Sequence, residues 1–343
     1  MGTLAEMLST PLGVIEWFVY LLAAVMFVIG LHLMNSPKTA RKGNMVSAIG
    51  MVFAVAMAFI VLFAGEASNG FKHGVAVIVL IVGIVIGAVA GEVSAKKVKM
   101  TDMPQLVSVF NTVGGGAAAL VALNDILTSA ETPSIVVLIT AGLGIMIGSV
   151  TFSGSLIAAG KLQGIKWVKK LSLPGKGFWN ILFVVLTIVS FVMLCVQPNQ
   201  RLLWSILTTV FALCYGLVFV IPIGGADMPV VISVLNACTG TAVAMSGLAI
   251  NNIALIVAGA LVGAAGVTLS IAMSKAMNRP LLSVLAGGFG GSNAAAGAGE
   301  GPEGTMKETS ADDLAVQLVY AEKVIFVPGF GLAQAQAQRE LAD

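Results

Sequence analysis

The sequence predicts an all-α polytopic membrane protein with about nine transmembrane helices, followed by a short soluble segment. Of its 343 residues, 58% are hydrophobic and only 10% are charged, whereas a typical soluble chain has about 25% charged residues. The charges cluster between apolar stretches of roughly 20 residues, which is the length of a helix that crosses a bilayer. The net charge of +2 gives no reason to expect a nucleic-acid partner.

Nine apolar runs define the predicted spans, and their short spacers require antiparallel neighbouring helices because unpaired backbone is not tolerated in lipid. The spans cover approximately residues 12–34, 44–64, 72–93, 103–123, 133–159, 178–196, 202–221, 228–250 and 252–275. With the N-terminus outside, thirteen Lys and Arg residues fall on the cytoplasmic side, and only Lys72 and Arg201 fall on the other. This asymmetry predicts an outside N-terminus and a cytoplasmic C-terminal tail.

The composition changes sharply after Arg279 and divides the chain into three predicted segments. Residues 1–280 form the membrane domain, and residues 281–304 form a flexible linker that contains the glycine-rich run "AGGFGGSNAAAGAGEGPEG". In residues 305–343, "TSADDLAVQLVYAEK" predicts a helix capped by Thr309 or Ser310. The following "KVIFVPGFG" predicts a short buried strand that runs into a glycine turn.

An internal repeat lies within the membrane domain. "DMPQLVSVFN" (102–111) matches "DMPVVISVLN" (227–236), and "AGLGIMIGSVTFS" (141–153) matches "AGALVGAAGVTLS" (258–270). Both two-helix copies enter the membrane in the same direction, so the repeat is parallel. Internal symmetry of this kind often places a transport site between the copies.

Asp102 and Asp227 each precede a proline that opens a predicted helix. An Asp at the N-cap with Pro in the first turn is ordinary helix-start chemistry. The same positions also place an ionisable group at the cytoplasmic face, where a soluble domain could dock. The sequence leaves both interpretations open, and they are compatible.

Asn111 and Asn236 follow these aspartates by nine residues, or about 13 Å of helix, which is near the middle of the hydrocarbon layer. A buried amide there must find hydrogen-bond partners, so it serves either as interhelical glue or as part of a hydrated path. Ser108 and Ser233 precede the two amides by three residues and share their helix faces. Two amides at matched depth favour a hydrated polar path along Ser108, Asn111, Ser233 and Asn236. Asn cannot itself carry a proton, and no His, Asp, Glu or Lys occupies the centre of a predicted span, so if the path conducts protons we expect the titrating group on another subunit.

The segment "VIFVPGFGLAQAQAQ" has the layout of a dinucleotide-binding turn. A predicted strand leads into Gly329-x-Gly331 and then into a helix-forming Ala/Gln run. Glycines at such a turn let the backbone approach a pyrophosphate at a helix N-terminus. Gln334 takes the place of the third glycine, and one βα unit is only the beginning of a Rossmann-like domain, so we expect an incomplete one here. No spacing of Cys, His or carboxylates indicates a metal site.

These motifs, in this order, resemble the β subunits of proton-translocating NAD(P) transhydrogenases. The matching stretches are "IGGADMPVVISVLNACTG", "IVAGALVGAAGVTLS", "KAMNRPLLSVLAGGFG" and "VIFVPGFGLAQAQAQ". The resemblance implies an oxidoreductase subunit of Re/Si-type specificity in a bacterial-type inner membrane. It further implies an α-subunit partner that binds NAD(H), pairing of two αβ units, an NADP(H) site on this chain, and no metal or flavin. It also implies a longer β chain, so we expect this one to be truncated and inactive by itself.

The resemblance assigns roles to individual residues. Asn236 matches the proton-path helix, and Asn111 stands where many members have a His that others place on the α chain. The cytoplasmic coupling gate matches Asp227, Arg279 and Gly266, with Asp102 as the counterpart in the first repeat. The nucleotide turn matches Gly329, Gly331, Ala333 and Gln336. No catalytic side chain is assigned.

A rival hypothesis is a non-enzymatic secondary transporter or channel that is built on the duplicated two-helix unit. Its tail would then be regulatory. The nucleotide-type turn distinguishes the two hypotheses, because a transporter has no need of "VPGFGLAQAQAQ" after a glycine-rich tether.

Overall fold

The computed structural model describes residues 10–64, 70–129, 133–166, 168, 175–288, 311–327 and 338–342. Within these ranges all regular secondary structure is helical, and no strand is formed. The chain divides into two compact units, Met1–Gly291 and Ser292–Asp343.

The first unit contains nine long helices within its described residues. They are α1 (Pro11–Met34), α2 (Ala40–Ala64), α3 (Gly70–Lys97), α4 (Met103–Thr128), α5 (Ile135–Leu162), α6 (Lys176–Val196), α7 (Arg201–Val220), α8 (Met228–Ala249) and α9 (Ile253–Ala276). Each is long and apolar enough to cross a membrane. The nine predicted spans are therefore confirmed as candidate transmembrane helices.

Polar residues fix several of the helix starts. Thr10, Ser134 and Asn252 each accept a hydrogen bond from the backbone N–H three residues later, at the starts of α1, α5 and α9. Each cap satisfies one of the donors that a helix N-terminus leaves without an intrahelical partner. Proline in the first turn of α1, α4 and α8 supplies a φ angle that already suits a helix.

Antiparallel neighbours pack as pairs: α1 with α2, α4 with α5, α6 with α7, and α8 with α9. Helix α8 is central because it also packs against α4 and α5.

Glycine permits the closest crossings between these helices. A Cβ at Gly115 would lie 3.0 Å from the carbonyl oxygen of Gly148, and one at Gly240 would lie 2.7 Å from that of Gly259. In contrast, no residue of the span Gly74–Lys97 in α3 is buried.

A large apolar core surrounds the start of α8. It includes Ile157 of α5, Phe219 of α7 and Met228 and Leu235 of α8. Val284 joins the same core from a short helix, α10 (Leu281–Gly288). The first eight residues of the predicted linker thus form a helix that packs on the bundle, and residues 289–304 lie outside the described residues.

The second unit contains α11 (Ala311–Val319) and α12 (Gln338–Ala342). Helix α11 confirms the helix predicted in this segment. Residues 321–327 form no strand, and Ile325, Phe326 and Val327 are exposed rather than buried. A strand needs a hydrogen-bonded neighbour, and none of the described residues provides one. The predicted nucleotide turn, with Gly329, Gly331, Ala333 and Gln336, lies outside the described residues.

Candidate functional site

Asn111 lies in a polar cluster between α4 and α5. Its side chain is 5% exposed, and its Nδ2 donates a 2.8 Å hydrogen bond to Oγ of Ser155. Ser108, one turn earlier, donates from Oγ to the backbone carbonyl of Ser155 at 2.8 Å. Oδ1 of Asn111 is buried and has no hydrogen-bond partner among the described residues. Asn111 therefore joins the two helices and still presents an unused acceptor.

Asn236, the counterpart of Asn111 in the repeat, has a different environment. It is half-buried and makes no hydrogen bond with the part of the chain that the structure describes. Its side chain lines an apolar groove of about 330 Å³ between α1, α2, α8 and α9, here called the α1–α9 groove. The Oγ of Ser233, one turn earlier, donates to the carbonyl of Val230 in its own helix.

The repeat itself explains why the two amides differ. Ser155 lies two residues beyond the matching stretch 141–153, and the corresponding position in the second copy is Ala272. The second copy therefore lacks the hydroxyl that Asn111 uses. Thr239, one turn after Asn236, is buried with an Oγ1 that has no partner among the described residues. Its methyl group faces α4 at Gly114.

Asp227 and Arg279 form an ion pair at the end of the bundle where α8 begins and α9 ends, here called the Asp227 end. Nη1 of Arg279 donates to Oδ2 of Asp227 at 2.9 Å, with side chains that are 46% and 15% exposed. Oδ1 of Asp227 is buried and unpaired within the described residues. The carboxylate thus has one oxygen held by Arg279 and one that is available to another donor.

The turn after α9 fixes the position of Arg279. Asn278 has a φ of 51°, a left-handed conformation that Asn tolerates better than most residues. This turn lets the backbone N–H of Arg279 bond to the carbonyl of Ser274 at 3.0 Å. The hydroxyl of Ser274 in turn donates to the carbonyl of Arg279. Pro280 follows and stops the helix from continuing.

Neither aspartate of the repeat acts as a helix cap through its side chain. Asp102 and Asp227 occupy the N-cap positions of α4 and α8, and neither side chain accepts a capping hydrogen bond. The capping interpretation of these residues is therefore wrong for their carboxylates. Asp227 forms an ion pair with Arg279 instead, whereas Asp102 forms no ion pair with any described residue.

Lys161, near the end of α5, anchors the loop that leads to Asp227. Its Nζ donates to the carbonyls of Val220 at 3.3 Å and Ile223 at 2.7 Å, and also to that of Ile221. A cation at these carbonyls satisfies acceptors that the end of α7 leaves without helical partners. The sequence revealed Lys161 only as a charge that indicates topology.

Gly266 does not lie beside the ion pair. A Cβ at this position would approach the backbone N of Ala237 to 2.6 Å, so Gly266 lets α9 press against α8 next to Asn236. It is thirteen residues from Arg279, or about 20 Å along a helix. The structure therefore groups Gly266 with the amide of Asn236 rather than with Asp227 and Arg279.

Comparison with known proteins bears on these motifs. A family model described as "NAD(P) transhydrogenase beta subunit" matches residues 16–343. Two relatives from Rhodospirillum rubrum, both named NAD(P) transhydrogenase subunit beta, are 41% identical over 336 residues. The match covers 94% of this chain and 70% of each relative. The chain belongs to the NAD(P) transhydrogenase beta subunit family.

Membership in the transhydrogenase beta family makes the chain a subunit of an oxidoreductase complex and implies NADP(H) binding and an alpha-subunit partner. It also decides between the two hypotheses in favour of the transhydrogenase. The described residues contain no group of three or more His, Cys, Asp or Glu that could hold a metal ion.

Sequence reasoning missed Ser155 and Lys161. Ser155 could have been found by extending the alignment of the repeat by two residues, where Ser155 stands opposite Ala272. Lys161 carried no comparable signal, because its bonds go to backbone carbonyls at the end of α7 and in the loop after it, which are distant in sequence.

Proposed function

We propose that this chain is the membrane subunit of a proton-translocating NAD(P)⁺ transhydrogenase. It couples inward proton movement to hydride transfer from NADH to NADP⁺. The observation that carries the proposal is the ion pair between Asp227 and Arg279. It ties the start of the helix that contains Asn236 to the segment from which the chain continues towards residues 305–343.

The ion pair acts as the coupling gate. Arg279 is followed by Pro280 and α10, and Val284 of α10 packs into the core around the start of α8. A force on the chain beyond α10 would therefore reach Arg279 along the backbone and the start of α8 through Val284. When Arg279 withdraws, Asp227 gains a second free oxygen beside the one that is already unpaired, and the mouth of the path becomes more negative. Asp102 supplies the corresponding carboxylate for the first copy.

The proton path runs along the amides of the repeat. Asn236 and Asn111 hydrogen-bond water or an ionisable side chain, and Ser108 and Ser233 lie one turn closer to the mouth. Because Asn does not titrate, the proton-carrying group comes from the alpha subunit. The unused Oδ1 of Asn111 is a suitable acceptor for its N–H or O–H. Gly266 keeps α9 close to α8 beside Asn236.

The remaining parts of the proposal concern the assembly. Residues 305–343 begin the NADP(H)-binding domain after the linker 281–304, with Gly329, Gly331, Ala333 and Gln336 at the nucleotide turn. The alpha subunit binds NAD(H), two αβ units pair, and the transfer is Re/Si-specific. The complex lies in a bacterial-type inner membrane with the N-terminus outside and the Asp227 end in the cytoplasm. Without the alpha subunit, this chain does not transfer hydride.

Reconstituted complex in proteoliposomes tests the proposal. We expect an imposed proton gradient to accelerate NADP⁺ reduction by NADH and a protonophore to remove the acceleration. Arg279→Gln lowers the acceleration about tenfold, within the usual range of coupling energies. Lys275→Gln is the matched control, since this exposed cation at the same end forms no ion pair with a described residue. A rate of NADP⁺ reduction that neither the protonophore nor Arg279→Gln changes would refute the proposal.

A further inference from the structure

Lys161 anchors the stretch of chain that joins α7 to the gate carboxylate. Its Nζ donates to the backbone carbonyls of Val220 at 3.3 Å and Ile223 at 2.7 Å, and also to that of Ile221. An ammonium group has three N–H donors, so this one side chain can serve all three carbonyls. The bonds fix the end of α7 and the start of its loop against the end of α5.

These carbonyls need a donor from another helix because the chain around them is buried and stops being helical. Val220, Ile221 and Ile223 are at most 6% exposed, and all three belong to the apolar core around the start of α8. Pro222 has no N–H and cannot continue the hydrogen-bond ladder of α7. Buried backbone carbonyls require a partner within the protein, and Lys161 supplies it from α5.

The chain between this anchored stretch and Asp227 is not held by packing. Gly224 and Gly225 are exposed, and a Cβ at either would meet no atom beyond its chain neighbours within 4 Å. The N–H of Asp227 bonds to the carbonyl of Gly224 at 3.1 Å, which closes a single short turn. On the other side of Asp227, Met228 is completely buried. The place of Asp227 therefore depends on two fixed points, the bonds of Lys161 upstream and Met228 downstream.

The ion pair of the gate requires this carboxylate to be placed accurately. Oδ2 of Asp227 lies 2.9 Å from Nη1 of Arg279, a distance typical of a charge-assisted hydrogen bond. A displacement of Asp227 by about 1 Å would lengthen the contact beyond the hydrogen-bond range. Loosening the upstream fixed point would therefore weaken the pair, although Lys161 is no part of it.

We propose that Lys161 is a positioning residue of the coupling gate, which holds residues 220–223 so that Asp227 meets Arg279. It acts through the backbone of this stretch. The effect of Lys161 on proton coupling rests on the proposed function, whereas its effect on the loop does not. The proposal is therefore tested by one measurement of the loop and one of coupling.

Amide hydrogen exchange tests the anchoring without any turnover. Exchange in the intact complex is followed by mass spectrometry of peptides that cover residues 220–227. Lys161→Met keeps a side chain of similar length and removes the donors, so we expect exchange at the amides of Ile223 and Asp227 to become about tenfold faster, the loss of one net hydrogen bond. Lys166→Met removes an exposed cation from the loop after α5 and leaves this exchange unchanged. Unchanged exchange in Lys161→Met would overturn the proposal.

NADP⁺ reduction driven by a proton gradient in proteoliposomes tests the effect on the gate. Lys161→Met should lower the acceleration about tenfold, as Arg279→Gln does. The double variant should lose no more than either single variant, because both changes act through Asp227. Thr208→Val removes a 3.1 Å hydrogen bond from α7 to Ser190 of α6. It is the control for a general loss of stability and should keep the full acceleration.

The two measurements separate this proposal from the proposed function. If the unaltered complex shows no acceleration, the proposed function fails, and the exchange of residues 220–227 alone decides whether Lys161 anchors the loop. If the acceleration survives Lys161→Met or falls equally in Thr208→Val, the positioning role is overturned while the proposed function stands. Losses that multiply in the double variant with Arg279→Gln would also overturn it, since the two residues would then act independently.

Discussion

The two copies of the internal repeat share an Asp-Met-Pro start and an Asn nine residues after the Asp, but these residues have different neighbours. In the first copy, Asn111 is buried and bonded to Ser155, and Asp102 has no ion-pair partner among the described residues. In the second copy, Asn236 faces a groove without a hydrogen bond to described residues, and Asp227 is paired with Arg279. The second copy thus combines a paired carboxylate with an available amide. The first copy combines an unpaired carboxylate with an amide that already joins two helices.

This difference shows how a duplicated unit can divide its tasks. The hydroxyl that holds Asn111 is absent from the second copy, where Ala272 takes its place. The arginine that holds Asp227 comes from beyond α9, outside the repeat. We therefore expect the first copy to stabilise the bundle through this bond and, on the proposed function, the second copy to contribute more to coupling.

The largest expected effect comes from Asn236→Leu. We expect at least about a 100-fold loss of proton-coupled turnover, the lower range for removing a group that assists proton transfer. The unfolding temperature of the complex should stay unchanged, because the amide has no hydrogen bond to the described residues. Turnover and thermal unfolding are measured on the same preparation. A loss of stability equal to that of Asn111→Leu would remove the distinction between the copies.

Replacing the glycines at the helix crossings has the next largest expected effect. Gly240→Ala should lower the free energy of unfolding by about 2 kcal/mol, because the new Cβ meets the backbone of α9. Gly115→Ala should cost about 1 kcal/mol, since its closest backbone contact is longer. Gly114→Ala is the control, because its nearest neighbour is the methyl group of Thr239 at 3.3 Å. Denaturation in mixed micelles measures all three, and a larger cost for Gly114→Ala would contradict the packing described.

A double-mutant cycle measures the bond that only the first copy has. Asn111→Leu and Ser155→Ala should show a coupling energy of about 0.6 kcal/mol in unfolding, the average for interhelical hydrogen bonds in such cycles. The same cycle with Asn236→Leu and Ser155→Ala should show none. Coupling in the second cycle would mean that Asn236 shares the hydroxyl of Ser155.

The smallest expected effect separates the two carboxylates. Asp227→Asn should lower the free energy of unfolding by about 0.5 kcal/mol, because its partner Arg279 is nearly half exposed and solvent screens the pair. Asp102→Asn should leave this free energy unchanged. Arg279→Gln should abolish the difference between the two Asn variants. If the difference persists without Arg279, another group holds Asp227.

Much of the fold could be predicted because apolar spans of fixed length are a property of the chain itself. The nine spans and the helix of Ala311–Val319 followed from hydropathy and local pattern. The strand predicted at residues 323–327 did not form, since a strand depends on a neighbour that no local signal supplies. Asp102 and Asp227 do occupy the N-cap positions that the sequence indicated, but neither carboxylate accepts a capping bond, and that of Asp227 pairs with Arg279 instead.

By itself, the sequence determined the repeat, the distance of its two amides from the helix start and the presence of a carboxylate ahead of each. These depend on residue spacing, and a helix converts spacing into distance by a constant rise. Only the tertiary structure decided that Ser155 holds Asn111, that Arg279 reaches Asp227 and that Asn236 opens onto a groove. Those contacts join residues far apart in the chain, and their partners are set by how α4, α5, α8 and α9 cross rather than by any local pattern.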